Sequence, residues 1–253
     1  MKSIWNKGWR PFLVLLLFFL FWEGITRFNS IPEWLLPAPS VIVEEAMASY
    51  SLFLPDIAAT LQLSIAGLLL GSVIGFLIAV MLHLVPSLRN AIYPLLILSQ
   101  NVPIIVLAPL LVIWFGFGFM PKLIIIILVC FFPVTVASLD GFKNVPADLK
   151  HYMRMSGASA FQTFTKVELP NALPPLFSGL KIAATYSVMG AVISEWLGAE
   201  KGIGVFMTLS SSAFRTDRVF IAIFIIIFFS MLFYSIIMLI EKMMIKWLPE
   251  GEK

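Results

Sequence analysis

Gln100, Asn101, Ser194 and Glu195 set two amides, a hydroxyl and a carboxyl group into stretches that are otherwise apolar. Polar groups at membrane depth are costly unless they face protein or water. The chemistry on offer is hydrogen bonding to a polar solute along a path, with no bond made or broken. Each also has a plainer reading. The two amides could bond backbone freed by Pro103, and Glu195 could be a carboxylate at a helix end, in water and paired with Lys201. Nothing else in the chain points to catalysis. There is no G-x-x-x-x-G-K-[ST] to cradle ATP, no H-E-x-x-H and no G-x-S-x-G. His83 and His151 lie far apart, without metal-ligand spacing. The single cysteine, Cys130, sits in an apolar run, where a lone thiol behaves as a small apolar residue.

The elements that must hold these groups are membrane helices. Hydrophobic residues make up 60% of the 253 and charged residues 12%, against about 25% charged in soluble domains; mean hydropathy is +0.99. A bilayer core needs about 20 apolar residues per helical span. Six stretches qualify: Pro11–Phe28, Ile57–Val85, Ala91–Phe115, Met120–Leu139, Leu176–Leu197 and Val219–Ile240. Their apolar runs are continuous, without the alternation of a barrel strand. The expectation is an all-α polytopic membrane protein, one domain over residues 1–253. Twelve of the seventeen Lys and Arg residues fall on one side of these spans: Lys2, Lys7, Arg10, Arg89, Lys143, Lys150, Arg154, Lys166, Lys181, Lys242, Lys246 and Lys253. Basic loops stay inside, so both termini are expected in the cytoplasm. The pI near 9.0 reflects that bias, and no basic patch interleaved with aromatics suggests nucleic acid. The first apolar run lacks a small-x-small cleavage site and reads as an anchor retained as the first span.

Between the spans the sequence is equally specific. Leu36-Pro37-Ala38-Pro39 forces a turn, and Ser40 is a plausible N-cap for a short interfacial helix. Gly67, Gly71 and Gly75 repeat every four residues, a small face that lets a neighbouring helix approach. Pro94, Pro103 and Pro109 make the third span a bent helix with Gln100 and Asn101 at the bend. The polar interlude Gly141–Pro175 reads as two short helices. Pro146 suits the first helical position of one, and Leu149, Tyr152, Met153 and Ser156 then follow at i, i+3, i+4 and i+7, with Lys150, His151 and Arg154 on other faces. Gly157 is placed for a left-handed C-terminal cap. Ser159 and Gln162 match a capping box opening the second helix, which Pro170 closes.

The stretch from Gly157, followed by Ala158 and Ser159, through nine intervening residues in all to Val167-x-Leu169-Pro170 resembles the cytoplasmic signature loop of importer-type ABC permeases. The Glu-Ala-Ala that usually opens the signature is replaced by His151-Tyr152-Met153. Leu36-Pro37-Ala38-Pro39, Thr60-Leu61, Pro103 to Gly118 and the Glu195…Gly202-Ile203-Gly204 run resemble the nitrate, taurine, aliphatic sulfonate and thiamine-pyrimidine-precursor branch. Ser194 to Gly202 is most similar to its ThiX-like members. The resemblance implies a permease in a bacterial cytoplasmic membrane, paired with a second copy. Two ATPase subunits carrying ATP and magnesium would sit beneath it, and a solute-binding protein outside. It assigns ATPase coupling to Leu149, His151, Tyr152, Met153, Gly157, Ala158, Ser159, Val167, Leu169 and Pro170, and no cofactor to this chain. Two other classes compete. An ion-coupled secondary carrier should show inverted halves and ionisable residues at the midplane, and neither is visible; a scaffold would not need a bent, amide-bearing span.

Overall fold

The structure is a computed structural model; it describes residues 2–247, with side chains from Trp9 onward. Lys253 therefore lies outside the described residues. The chain is helical throughout: α1 (Lys2–Phe28), α2 (Pro39–Ala48), α3 (Tyr50–Leu84), α4 (Pro86–Ser99), α5 (Ile104–Phe115), α6 (Phe119–Lys143), α7 (Ala147–Met155), α8 (Ala160–Thr163), a π-turn (Phe164–Glu168), α9 (Leu169–Glu195), α10 (Ile203–Ser212) and α11 (Thr216–Met244). Five helical units are long and apolar enough to cross a bilayer, and the bent pair α4–α5 makes a sixth. The helices outrun the apolar windows at most ends, because a window senses only the hydrocarbon core while hydrogen bonding continues into water. α3 has 35 residues, roughly 50 Å at 1.5 Å per residue.

At the centre α6 is clasped by α3 and α9. Gly67, Gly71 and Gly75 turn α3 toward Ile126, Cys130 and Phe131, and a Cβ on Gly71 would stand 2.7 Å from the Cβ of Cys130. Thr135 closes the contact by donating to the carbonyls of Gly75 at 2.9 Å and Phe131 at 2.8 Å. Cys130 is buried there as a small apolar filler. Ala184 and Val188 of α9 pack on Phe233 of α11. At one end α2 and α10 join the bundle through Ile42, Phe53, Ile203, Phe206 and Ile221.

Contacts at the two ends fix the number of crossings. His83, at the end of α3, stacks on Phe142, at the end of α6, so these two helices finish on the same side. α6 then begins on the opposite side, and α4–α5 must carry the chain across. Six crossings result, with α1 starting and α11 finishing at the His83 end.

Four expectations need correction. The third span is not one bent helix: α4 and α5 meet at 100°. Gln100, Asn101 and Val102 donate three residues back, to Ile97, Leu98 and Ser99. This tightening ends α4 before Pro103, which has no N–H to continue it. Pro170 does not close the second loop helix. α8, the π-turn and α9 run on as a 36-residue span, and Leu169 donates to Phe164, five residues back. The extra residue of the π-turn seats Pro170 in the first turn of α9, where its missing donor costs nothing. Ser40 does not cap α2: Pro39 opens that helix, and Ser40 instead binds Glu23 of α1 through its N–H at 3.0 Å and its hydroxyl at 2.8 Å. Pro146 precedes α7 rather than entering it.

Candidate functional site: an exposed hairpin, a groove and a buried carboxylate

The loop from Asn144 to Glu168 forms a hairpin at the His83 end. α7 stops in a Schellman motif, with Gly157 donating to Arg154 and Ala158 to Met153. Gly157 has φ +72°, the left-handed conformation that a residue without Cβ adopts most cheaply. Ser159 then opens α8 with a reciprocal capping box: its hydroxyl accepts from the Gln162 N–H at 3.2 Å, and its own N–H donates to Gln162 Oε1 at 2.8 Å. Two such caps back to back hold the hairpin angle. α7 buries none of its side chains. Leu149 and Tyr152 point outward with Met155, and Phe161 of α8 joins them, the last three being 68%, 77% and 75% exposed. His151 is exposed beside Asp148, Lys150 and Arg154, while Met153, Ala158 and Val167 are half-buried. Leu169 packs with Phe164 against Leu82, Leu139 and Phe142. The apolar outward face is thus Leu149, Tyr152, Met155 and Phe161. Met155 and Phe161 were readable as apolar residues in a polar stretch, but the i, i+3, i+4 pattern favoured Met153.

The polar residues of the spans separate. Gln100 lines a groove of about 530 Å³ with Phe132, Pro133, Asp140, Ile182, Tyr186 and neighbours from α6 and α9. Asn101 folds back to donate to the Ile97 carbonyl at 3.1 Å, and Ser99 donates to Leu96 at 2.7 Å, so the loosened end of α4 is served by its own side chains. Ser194 and Glu195 do not face the groove. Ser194 is fully buried and donates to Ala191. Glu195 is 2% exposed. It accepts from Thr60 Oγ1 at 2.7 Å and from the Gly204 N–H at 2.8 Å. Thr60 accepts from Ile203 N–H at 2.8 Å and Asp56 from Gly202 N–H at 2.8 Å. Three side chains of α3 and α9 therefore satisfy the first N–H groups of α10, which has no capping residue of its own. A Cβ on Gly202 would fall on the Glu195 carboxylate; the G-x-G is the gap through which that carboxylate reaches backbone.

Nearby, Arg218 binds Glu45 of α2 at 2.8 Å, and Arg215 binds Glu45 at 2.9 Å and Asp217 at 2.7 Å. Burial pushes the Glu45 carboxyl up, but the Ser49 hydroxyl and the two guanidiniums outweigh it and hold the group below the usual range.

Residues 67–246 match the family described as the binding-protein-dependent transport system inner membrane component. The chain belongs to this family. The protein is thus an ABC importer permease, an inner-membrane, multi-pass transport component, and membership implies an ATPase and a solute-binding protein as partners. It is 35% identical to the formylaminopyrimidine transport permease ThiX of Halalkalibacterium halodurans, over 94% of this chain and 95% of that one. It is 27% identical to the riboflavin transport system permease RibX of Chloroflexus aurantiacus, over 93% and 88%. The taurine transport system permease TauC of Escherichia coli is 27% identical over 89% and 85%. The permease also holds a contact that sequence reasoning gave no role: Lys181 of α9 meets Glu241 of α11 at 2.6 Å.

Proposed function

We propose that this permease forms the transmembrane path of an importer for a small thiamine-precursor pyrimidine, driven by an ATPase that engages the α7–α8 hairpin from the cytoplasm. The observation that carries the coupling reading is the hairpin itself, with four large apolar side chains held outward by two caps. A large exposed apolar patch marks an interaction surface. Two permease copies face each other, each contributing its Gln100 groove, and ATP with magnesium binds on the ATPase subunits. Closure of the ATPase pair moves the hairpins and exchanges inward- and outward-facing states, a rigid-body change biased by a ligand. The pyrimidine assignment rests on the 35% identity to ThiX along almost the whole chain. The groove suits it, since Gln100 offers an amide donor and acceptor and Phe132 and Tyr186 offer aromatic faces. An aliphatic sulfonate, taurine or nitrate would instead call for cationic groups, and among the described residues no Lys or Arg lines that groove.

The test is uptake into proteoliposomes containing the permease, its ATPase and its binding protein. Radiolabelled formylaminopyrimidine is expected to accumulate in an ATP-dependent manner, with taurine at least tenfold slower. Equal or faster taurine uptake would overturn the substrate assignment. Accumulation driven by an imposed ion gradient without ATP would overturn the coupling.

A further inference from the structure

α7 is held to the rest of the protein by very little. Among the described residues, its one side-chain hydrogen bond or ion pair to another element is Lys150 Nζ to Glu168 Oε1, at 2.8 Å. The other oxygen of Glu168 lies 2.7 Å from Nε2 of His83. Glu168 closes the π-turn, and His83 is the penultimate residue of α3. The imidazole is stacked on Phe142 with ring centroids 4.8 Å apart, and Phe164 lies 6.1 Å away. Under these rings the side chains of His83 and Glu168 are only 15% and 12% exposed. An open surface pair contributes little because water competes for it; a pair shielded by two aromatic rings, with both carboxylate oxygens engaged, holds a defined geometry.

The far end of α3 is equally constrained. Asp56 and Thr60 hold the N-terminus of α10, and between the two ends the helix backbone lies directly on α6. α3 is thus a rigid rod, linked at one end to α7 through a single carboxylate and at the other to α10. We propose that Glu168 is the positioning residue that transmits movement of α7 to α3, through a Lys150–Glu168–His83 relay. The proposal rests on the reading of the hairpin as the ATPase contact. Displacing α7 pulls Glu168 through Lys150. Glu168 draws the His83 end of α3 with it, and the rod carries the shift to α10 across the membrane. Coupling over such distances travels through rigid elements joined by specific contacts.

The experiment uses the full complex in proteoliposomes, with Gln100→Cys as the only cysteine in a Cys130→Ser background. An impermeant maleimide applied from the binding-protein side reads exposure of the groove, with and without a non-hydrolysable ATP analogue. The intact relay should change the labelling rate about tenfold on adding nucleotide. His83→Leu and Glu168→Gln should reduce that change to less than about twofold, while the ATPase still co-purifies in normal amounts. His83→Gln, whose amide can donate to the same carboxylate, should restore most of it. The double variant should be no worse than the more severe single one, because both interrupt one route. Should His83→Leu fail to insert, the near-isosteric Glu168→Gln carries the test. A full tenfold change in the relay variants would overturn the proposal, as would loss of ATPase co-purification, which would mean that the cluster only shapes the docking surface. Tyr152→Asp separates the underlying reading: normal co-purification and normal nucleotide response in that variant would remove the hairpin as the ATPase contact, and the relay with it.

Discussion

At the scale of single residues, the instructive case is Glu195. Its type and position suggest either a path residue or a helix-end carboxylate in water paired with Lys201, and the structure shows neither. What decides its place is Thr60, 135 residues earlier in the chain, together with the backbone of α10. A one-dimensional pattern cannot show that pairing. The usable signal was Gly202-Ile203-Gly204, a helix start with no capping side chain of its own and room for one supplied from elsewhere. Gln100 was legible because its surroundings are local: an amide beside Pro103 must sit where the helix breaks. Glu195 therefore acts on stability. In Glu195→Gln the amide oxygen can keep the Gly204 N–H, but the amide NH2 then faces Thr60, whose hydroxyl must accept it and loses the acceptor for its own O–H. An unsatisfied buried polar group costs roughly 1–3 kcal/mol. Glu195→Gln should unfold several degrees lower in detergent, and Glu195→Ala lower still, with transport per folded molecule retained. An unchanged melting temperature accompanied by lost uptake would put the carboxylate back in the path.

At the scale of elements, legibility followed the range of the interactions. The hairpin caps are made within six residues, and the sequence pattern of Gly157, Ser159 and Gln162 corresponds to the bonds found. The continuation of α8 through the π-turn into α9 was not legible. A proline normally argues for a helix end, and here the packing of Phe164 and Leu169 on the α3–α6 core outweighs that local preference. The 100° break of α4–α5 was half-legible: Pro103 marked the place, but the angle depends on what α5 packs against, which is Ile125 of α6. The Gly157 cap makes a clean prediction, since a Cβ there meets nothing within 4 Å. Any effect of substitution comes from the left-handed backbone alone, at about 1–2 kcal/mol for an L-residue. Gly157→Ala should weaken ATPase co-purification modestly and Gly157→Val more, because β-branching disfavours positive φ further. Both should insert in normal amounts. Equal behaviour of the two variants and the native permease would show that the hairpin angle does not govern docking.

At the scale of the whole molecule, charge distributes between two ends that the fold defines independently of any membrane. At the Thr60 end the arginines are matched by acids: Arg27 by Glu23, Arg215 by Asp217 and Glu45, Arg218 by Glu45. At the His83 end Lys150 and Lys143 have carboxylate partners, while Arg89, Arg154 and Lys166 pair with none among the described residues. Lys122 and Lys201 are also unpaired among the described residues at the Thr60 end, but there Glu33, Glu44, Asp56 and Glu200 offset them, so the excess positive charge lies on the hairpin side, the pattern that keeps a loop in the cytoplasm. With six crossings both chain ends share that side. Single cysteines in a Cys130→Ser background test this in intact cells. Ser51, at the start of α3, and Ser211, near the end of α10, are both exposed at the Thr60 end, and cysteines there should react with an impermeant maleimide. A cysteine at Ser159, exposed on the hairpin, should react only after the cells are permeabilised. Labelling of Ser159 from outside would invert the molecule, leaving the α7–α8 hairpin beyond the reach of any ATPase. An intermediate pattern, with Ser51 labelled and Ser211 protected, would mean that α4–α5 returns to the side it came from, in conflict with the stacking of His83 on Phe142.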